Sequence, residues 1–113
     1  MPRNYSGQYL QGRSFAFHDL TGADFSGADL QGATFWKANL TNATLISAIL
    51  GEANLSGANL TSANLINANL AGANLSGADF TDADLTDAFR RPGISRADME
   101  GAIGLDKVMG LID

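Results

Sequence analysis

Leucine or phenylalanine stands at every fifth position from Leu10 to Leu85, and alanine recurs at the same interval from Ala23 to Ala88. A period of five fits neither regular element. Along one helix the Leu positions would spiral around every face, and along one strand they would alternate sides. The pattern therefore predicts a chain that turns once in each repeat. Leu and Ala then point to a common axis, and the remaining three residues form the outer wall and the corner. The corner chemistry is present. Gly7, Gly12, Gly22, Gly27, Gly32, Gly57, Gly72 and Gly77 stand two after the central residue, where positive φ costs glycine little and Asn or Asp tolerate it.

The tandem Ala-(Asp/Asn)-Leu-x-x motif, seen for example in Ala58-Asn59-Leu60-Thr61-Ser62, resembles the pentapeptide-repeat family from about Tyr5 to Ala88. The resemblance implies an all-β solenoid: a right-handed quadrilateral β-helix, four pentapeptides to a coil, with Leu or Phe and Ala stacked inside. About four coils at a spacing of roughly 4.8 Å would make a rod on the order of 20 Å long. Residues twenty apart would then lie above one another. One interior column reads Phe15, Phe35, Leu55 and Leu75, and another Phe25, Leu45, Leu65 and Leu85. Aromatic bulk gathers in the first coils, where Gln8, Arg13 and His18 occupy the inward-type positions held elsewhere by Ala.

A solenoid leaves its end coils with an uncovered core and unpaired backbone, so the ends need caps or partners. We read 1–113 as one domain with repeat coils over 5–89, a register break and partial repeat over 90–104, and a capping helix over 105–112. Arg90-Arg91-Pro92-Gly93 is a strong breaker. Leu105, Val108, Met109 and Ile112 then fall at the spacing of one helical face. At the N-terminal end only Tyr5, Tyr9, Gln8, Arg13 and His18 are available to blunt the edge. The expected state is a monomer or a dimer paired end to end.

Charge changes the picture more than length does. The net charge is −5, which argues against direct nucleic-acid binding, a process that depends on Lys and Arg neutralising phosphates. Between Asp19 and Ala88 eight acids face a single base, Lys37. There is no cysteine, so neither disulfides nor thiolate metal sites contribute. No stretch approaches the roughly 20 apolar residues of a membrane span, and the start carries no apolar leader-like run, so a cytoplasmic setting is expected.

Catalytic chemistry is not supported. The sole histidine, His18, has no cysteine or second histidine with which to share a metal, and no Ser-His-Asp grouping or phosphate-binding loop can be assembled. The acidic run Asp79, Asp82, Asp84 and Asp87 reads as a solvated face. The chain is therefore read as a non-enzyme with no cofactor and no metal. Outward threonines such as Thr34 and Thr44 suggest no sustained ladder, so an ice-binding surface is set aside.

Large apolar residues at outer positions stand out from their own repeat: Trp36, Ile46, Ile49 and Ile66. Given twenty residues per coil, Ile46 and Ile66 are neighbours on one face, Ile49 lies around the corner from Ile46, and Trp36 sits on another face. They either stack on a pleated surface for stability or form a contact site for an unidentified protein partner. The expected function is a rigid interaction scaffold. The alternative is a DNA-mimicking regulator or protector of DNA gyrase, because some members of the family are acidic rods of that kind. Those relatives are longer, and in some cases they carry projecting loops that this sequence lacks.

Overall fold

The structure, a computed structural model, describes residues 3–89 and 93–105. The chain winds in coils of twenty residues. Parallel bridges link Asn4 to Asp24, Tyr9 to Asp29, Ser14 to Thr34 and Asp19 to Asn39, and the same spacing runs on to Asn64 with Asp84. Each coil has four turns, one after every Leu or Phe.

The repeat 53–57 shows why the motif winds this way, because every backbone N–H in it has an acceptor. Ala53 N–H donates to the Leu50 carbonyl and closes the preceding turn; Asn54 N–H donates to Ala33 in the coil below; Leu55 and Gly57 donate to Asn74 and Ser76 in the coil above. The one N–H left over, that of Ser56, donates to the Asn54 side-chain oxygen at 2.9 Å. That bond is the reason for Asn or Asp before the leucine: a side-chain acceptor supplies what the coil-to-coil ladder cannot. The corner residue sits at positive φ whether it is Gly57 (69°), Ser62 (60°) or Asp82 (59°). With the i to i+3 bond, this marks a type II turn.

Leu and Ala fill the axis. Phe25, Leu30, Phe35, Leu40 and the columns above them through Phe80 are fully buried, as are the alanines between them, and among the described residues no polar one is buried with them. Both columns expected from the sequence, Phe15, Phe35, Leu55, Leu75 and Phe25, Leu45, Leu65, Leu85, lie in this core. At the N-terminal end the aromatics make a plug. Tyr5 stacks on Phe25 at 4.8 Å and Phe15 on Phe35 at 5.2 Å, while Phe15 and Phe25 meet edge to face.

Gln8, Arg13 and His18 do not point inward: all three are exposed. Among the described residues nothing stacks beneath these three positions, so a polar side chain there reaches water where an alanine higher in the stack is enclosed. His18 rests its ring edge against Phe15, and its Nδ1 lies 3.0 Å from the Ala16 carbonyl oxygen.

Winding continues beyond Phe89 in a shifted register. Leu75 N–H donates to Asp98, Gly77 to Glu100 and Phe80 to Ile103, each four residues later than the regular spacing, and Ile103 returns a bond to Ala78. A 3₁₀ turn, Ala97–Met99, delivers buried Met99 into this partial coil, beyond Leu75. The molecule measures 38 × 21 × 21 Å, so it is longer than about four backbone spacings. The shifted partial turn lengthens the stack. The capping helix expected over 105–112 lies outside the described residues except for Leu105, which is buried, and Arg90, Arg91 and Pro92 also lie outside them.

Candidate interaction surface

The outer wall is made of three columns on each face: the residue before the inward Leu or Phe, the one after it, and the corner. Most are Asn, Asp, Ser, Thr or Gly. Against that background the four apolar residues singled out by sequence fall into two groups. Ile46 and Ile66 occupy one column in successive coils, where Ser47 N–H donates to the Ile66 carbonyl at 2.9 Å, and both are half-buried. Ile49 bridges Asp29 and Asn69 in a neighbouring column and is 38% exposed. Trp36 belongs to a different face, built on Phe15 and Phe35, and is 42% exposed.

Trp36 has a companion that sequence reasoning passed over. Phe17 meets it edge to face, with ring centroids 5.0 Å apart, and is 65% exposed. On the same tryptophan ring, Lys37 Nζ stands 5.0 Å from the centroid, a cation–π placement. Phe17 and Lys37 hold the same corner column in successive coils, at φ of 62° and 55°. A bulky side chain is a costly choice in the left-handed region. The signal was therefore in the sequence: a Phe where the repeat elsewhere has Gly, Asn, Ser, Asp, Glu or Lys.

The other three faces carry the acids from Asp19 to Asp87. Asp19 and Asp79 sit in a column with Asn39 and Asn59. The threonines two residues later, Thr21, Thr41, Thr61 and Thr81, form the ladder not anticipated from Thr34 and Thr44. Each hydroxyl turns back to donate to its own Asp or Asn at 2.6 to 2.7 Å. The ladder thus caps turns, with its protons already committed. Hydroxyl donation from Thr21, and then its backbone N–H, hold the Asp19 carboxyl below its usual range. Thr81 does the same for Asp79 and Thr86 for Asp84. For Asp24 the backbone of Ser26 is the larger cause.

Among the described residues, no group of three His, Cys, Asp or Glu side chains could hold a metal ion. No described helix is long and apolar enough to cross a membrane. What the surface offers is shape, charge and three exposed aromatic rings, Tyr9, Phe17 and Trp36, on a scaffold hydrogen-bonded from coil to coil.

Comparison with known proteins fits this geometry. The family model for pentapeptide repeats, in eight copies, matches residues 19–57 and 38–76. Among curated proteins, none matches the sequence. Three solved structures are similar. A pentapeptide repeat protein of the Arabidopsis thaliana thylakoid lumen is 29% identical over 88% of this chain and 63% of its own, with a TM-score of 0.70. HetL of the cyanobacterium Nostoc, a pentapeptide repeat protein involved in heterocyst differentiation regulation, is 36% identical over 91% of this chain and 49% of its own, also at 0.70. The plasmid-mediated fluoroquinolone resistance protein QnrB1 is 27% identical over 75% of this chain and 44% of its own, at 0.69. The chain spans less than two thirds of each of these structures. With the repeat model covering half of its length and a coil built from the same five-residue unit, the chain belongs to the pentapeptide-repeat family.

Proposed function

We propose that this chain is a non-catalytic, right-handed quadrilateral β-helix that works as a rigid scaffold, holding side chains at fixed spacing for a protein partner. The observation that carries the reading is the contacting pair of exposed aromatics, Phe17 and Trp36, at outer positions where most repeats place small or polar residues. Exposed aromatics on a stiff backbone lose little entropy on binding and are the residue types that dominate contact energies. The right-handed sense rests on the family resemblance. A monomer is favoured over end-to-end pairing, since the 21 × 21 Å end would bury on the order of 400 Å² per partner, about half of what a standard interface buries.

Affinity capture from lysate of the source organism, with wild type against a Phe17→Ser, Trp36→Ser variant of confirmed fold, tests the reading. A protein retained by wild type and lost with the variant supports it. Nothing retained by either overturns it.

A second reading, a DNA-mimicking regulator or protector of DNA gyrase, is favoured by the excess of acids between Asp19 and Ala88 and by the likeness to QnrB1. Arg13 and Lys37 count against it, because they put positive charge in the first two coils of a face that carries no acid through residue 77. A supercoiling assay with gyrase and a fluoroquinolone decides this reading. Restored supercoiling in the presence of the protein supports it, and an unchanged reaction removes it.

A further inference from the structure

We infer that the face formed by residues 13–17, 33–37, 53–57 and 73–77 docks an acidic polypeptide segment that also carries an apolar side chain. This rests on the scaffold reading and names the kind of partner that the scaffold would hold.

Charge is sorted by face. Reading the coil period of twenty onto the sequence, this face holds Arg13 and Lys37 and no acid through residue 77, and Asp98 and Glu100 enter it only in the shifted turn beyond Leu75 and Gly77. The next face holds Asp19, Asp79 and Asp82 without a base; the one after it Asp24, Asp84 and Asp87 against Arg3; the fourth Asp29 and Glu52. A strip of positive charge on an acidic body attracts a carboxylate at close range. The same body repels a long polyanion, whose charges would run past the strip onto flanking Asp columns.

The aromatic pair supplies the apolar half of the site. Arg13 stands at one edge of the face and Lys37 at the other, with Phe17 and Trp36 alongside them in the same two coils. Trp36 is held by Lys37 over its ring and by Phe17 against it, so its placement is set before a partner arrives. Phe17 keeps this position despite φ of 62°, in a column that elsewhere accepts glycine. Uncharged sugars would not call for the two cations, whereas an acidic segment with an apolar side chain uses both features.

Beyond Lys37 the face continues as a strip of small polar residues. There the wall is Asn54, Ser56, Gly57, Asn74, Ser76 and Gly77, and a β-carbon on Gly77 would meet only the Gly57 nitrogen, at 3.8 Å. Three coil spacings give about 14 Å, the reach of roughly four extended residues.

Trp36 is the sole tryptophan, so its emission reports on this face directly. The probe is a synthetic peptide of four glutamates around one phenylalanine. A Gln-for-Glu version, a Glu-only version and a single-stranded oligonucleotide serve as comparisons. The expected result is a saturable, salt-sensitive emission shift with the Glu–Phe peptide. It weakens about fivefold or more in Lys37→Gln or Phe17→Ser and stays unchanged in Gln31→Ala on another face. Four outcomes overturn the inference: no shift at millimolar peptide; equal binding of the Gln version; tighter binding of the oligonucleotide; or an emission change on concentrating the protein alone, which would assign the face to a second copy. Circular dichroism on each variant separates a lost site from a lost fold. If the peptide fails while lysate capture still returns a partner, the scaffold reading stands and only this inference falls.

Discussion

The aliphatic stem of Lys37 lies over Gly57 so closely that a β-carbon on that glycine would stand 3.1 Å from Lys37 Cγ. Gly57 also sits at φ of 69°, so it answers two demands at once. Gly77, one coil on, meets only the second of them, with φ of 70° and its nearest neighbour at 3.8 Å. Gly77→Ala should therefore cost about 1 kcal/mol from backbone conformation alone. Gly57→Ala should cost more and dislodge Lys37 from Trp36. Thermal melts of the two variants, with Trp36 emission read alongside, check the ranking; equal melting temperatures would show that Lys37 yields freely.

Leu60 has no exposed surface and sits in the middle of the stack. Leu60→Asp puts a carboxylate among leucines with no donor in reach, a change expected to cost several kcal/mol against a total stability on the order of 5–15 kcal/mol. Far-UV circular dichroism should show loss of the coil signal at 25 °C. An unchanged spectrum and melt would refute the five-residue register. Ser56→Ala, on the half-buried outer wall, removes only a hydroxyl bond to Asn54 and should shift the melt little.

Acid should loosen the coils. The carboxyls of Asp19, Asp24, Asp79 and Asp84 all titrate below their usual range because threonine or serine donors favour the ionised form. A carboxyl whose folded value is depressed adds stability above the ordinary value near 3.8 and loses it as pH falls through the folded one. The melting temperature should thus hold from neutral pH to about 5 and fall below about 4. Thr81→Val removes the largest cause at Asp79 and should shrink that fall. A melt independent of pH down to 2 would contradict the assignment.

How far the sequence could be read follows from how the constraints are distributed. Leu and Ala recur because every coil repeats the same interior, so Leu10 to Leu85 and Ala23 to Ala88 specify the core directly. His18 misleads because an inward position means something different where, among the described residues, nothing stacks beneath it. Thr21, Thr41, Thr61 and Thr81 are visible at a spacing of twenty, but their role depends on hydroxyl direction. The four-residue slip that carries Asp98 to Leu75 shows in the sequence as the partial repeat Ala97-Asp98-Met99-Glu100-Gly101-Ala102 beyond the break, but its pairing partners required the coil. Phe17 was legible only as a broken corner rule, and its pairing with Trp36 required the coil.

Phe17 separates stability from function most cleanly. Its left-handed backbone costs about 1–2 kcal/mol relative to glycine, and its edge-to-face contact with Trp36 returns about 0.5–1.5 kcal/mol. Because the ring is 65% exposed, little burial is added to that sum. Phe17→Gly should therefore leave the melting temperature unchanged or raise it slightly, while weakening capture of the acidic peptide. If instead the variant lost more than about 1 kcal/mol, the aromatic pair would be a brace for the second coil and its exposure incidental. A gain in stability at the expense of binding would mean that the strained corner is retained for its surface, as expected where a fold accepts a local cost for a contact made outside itself.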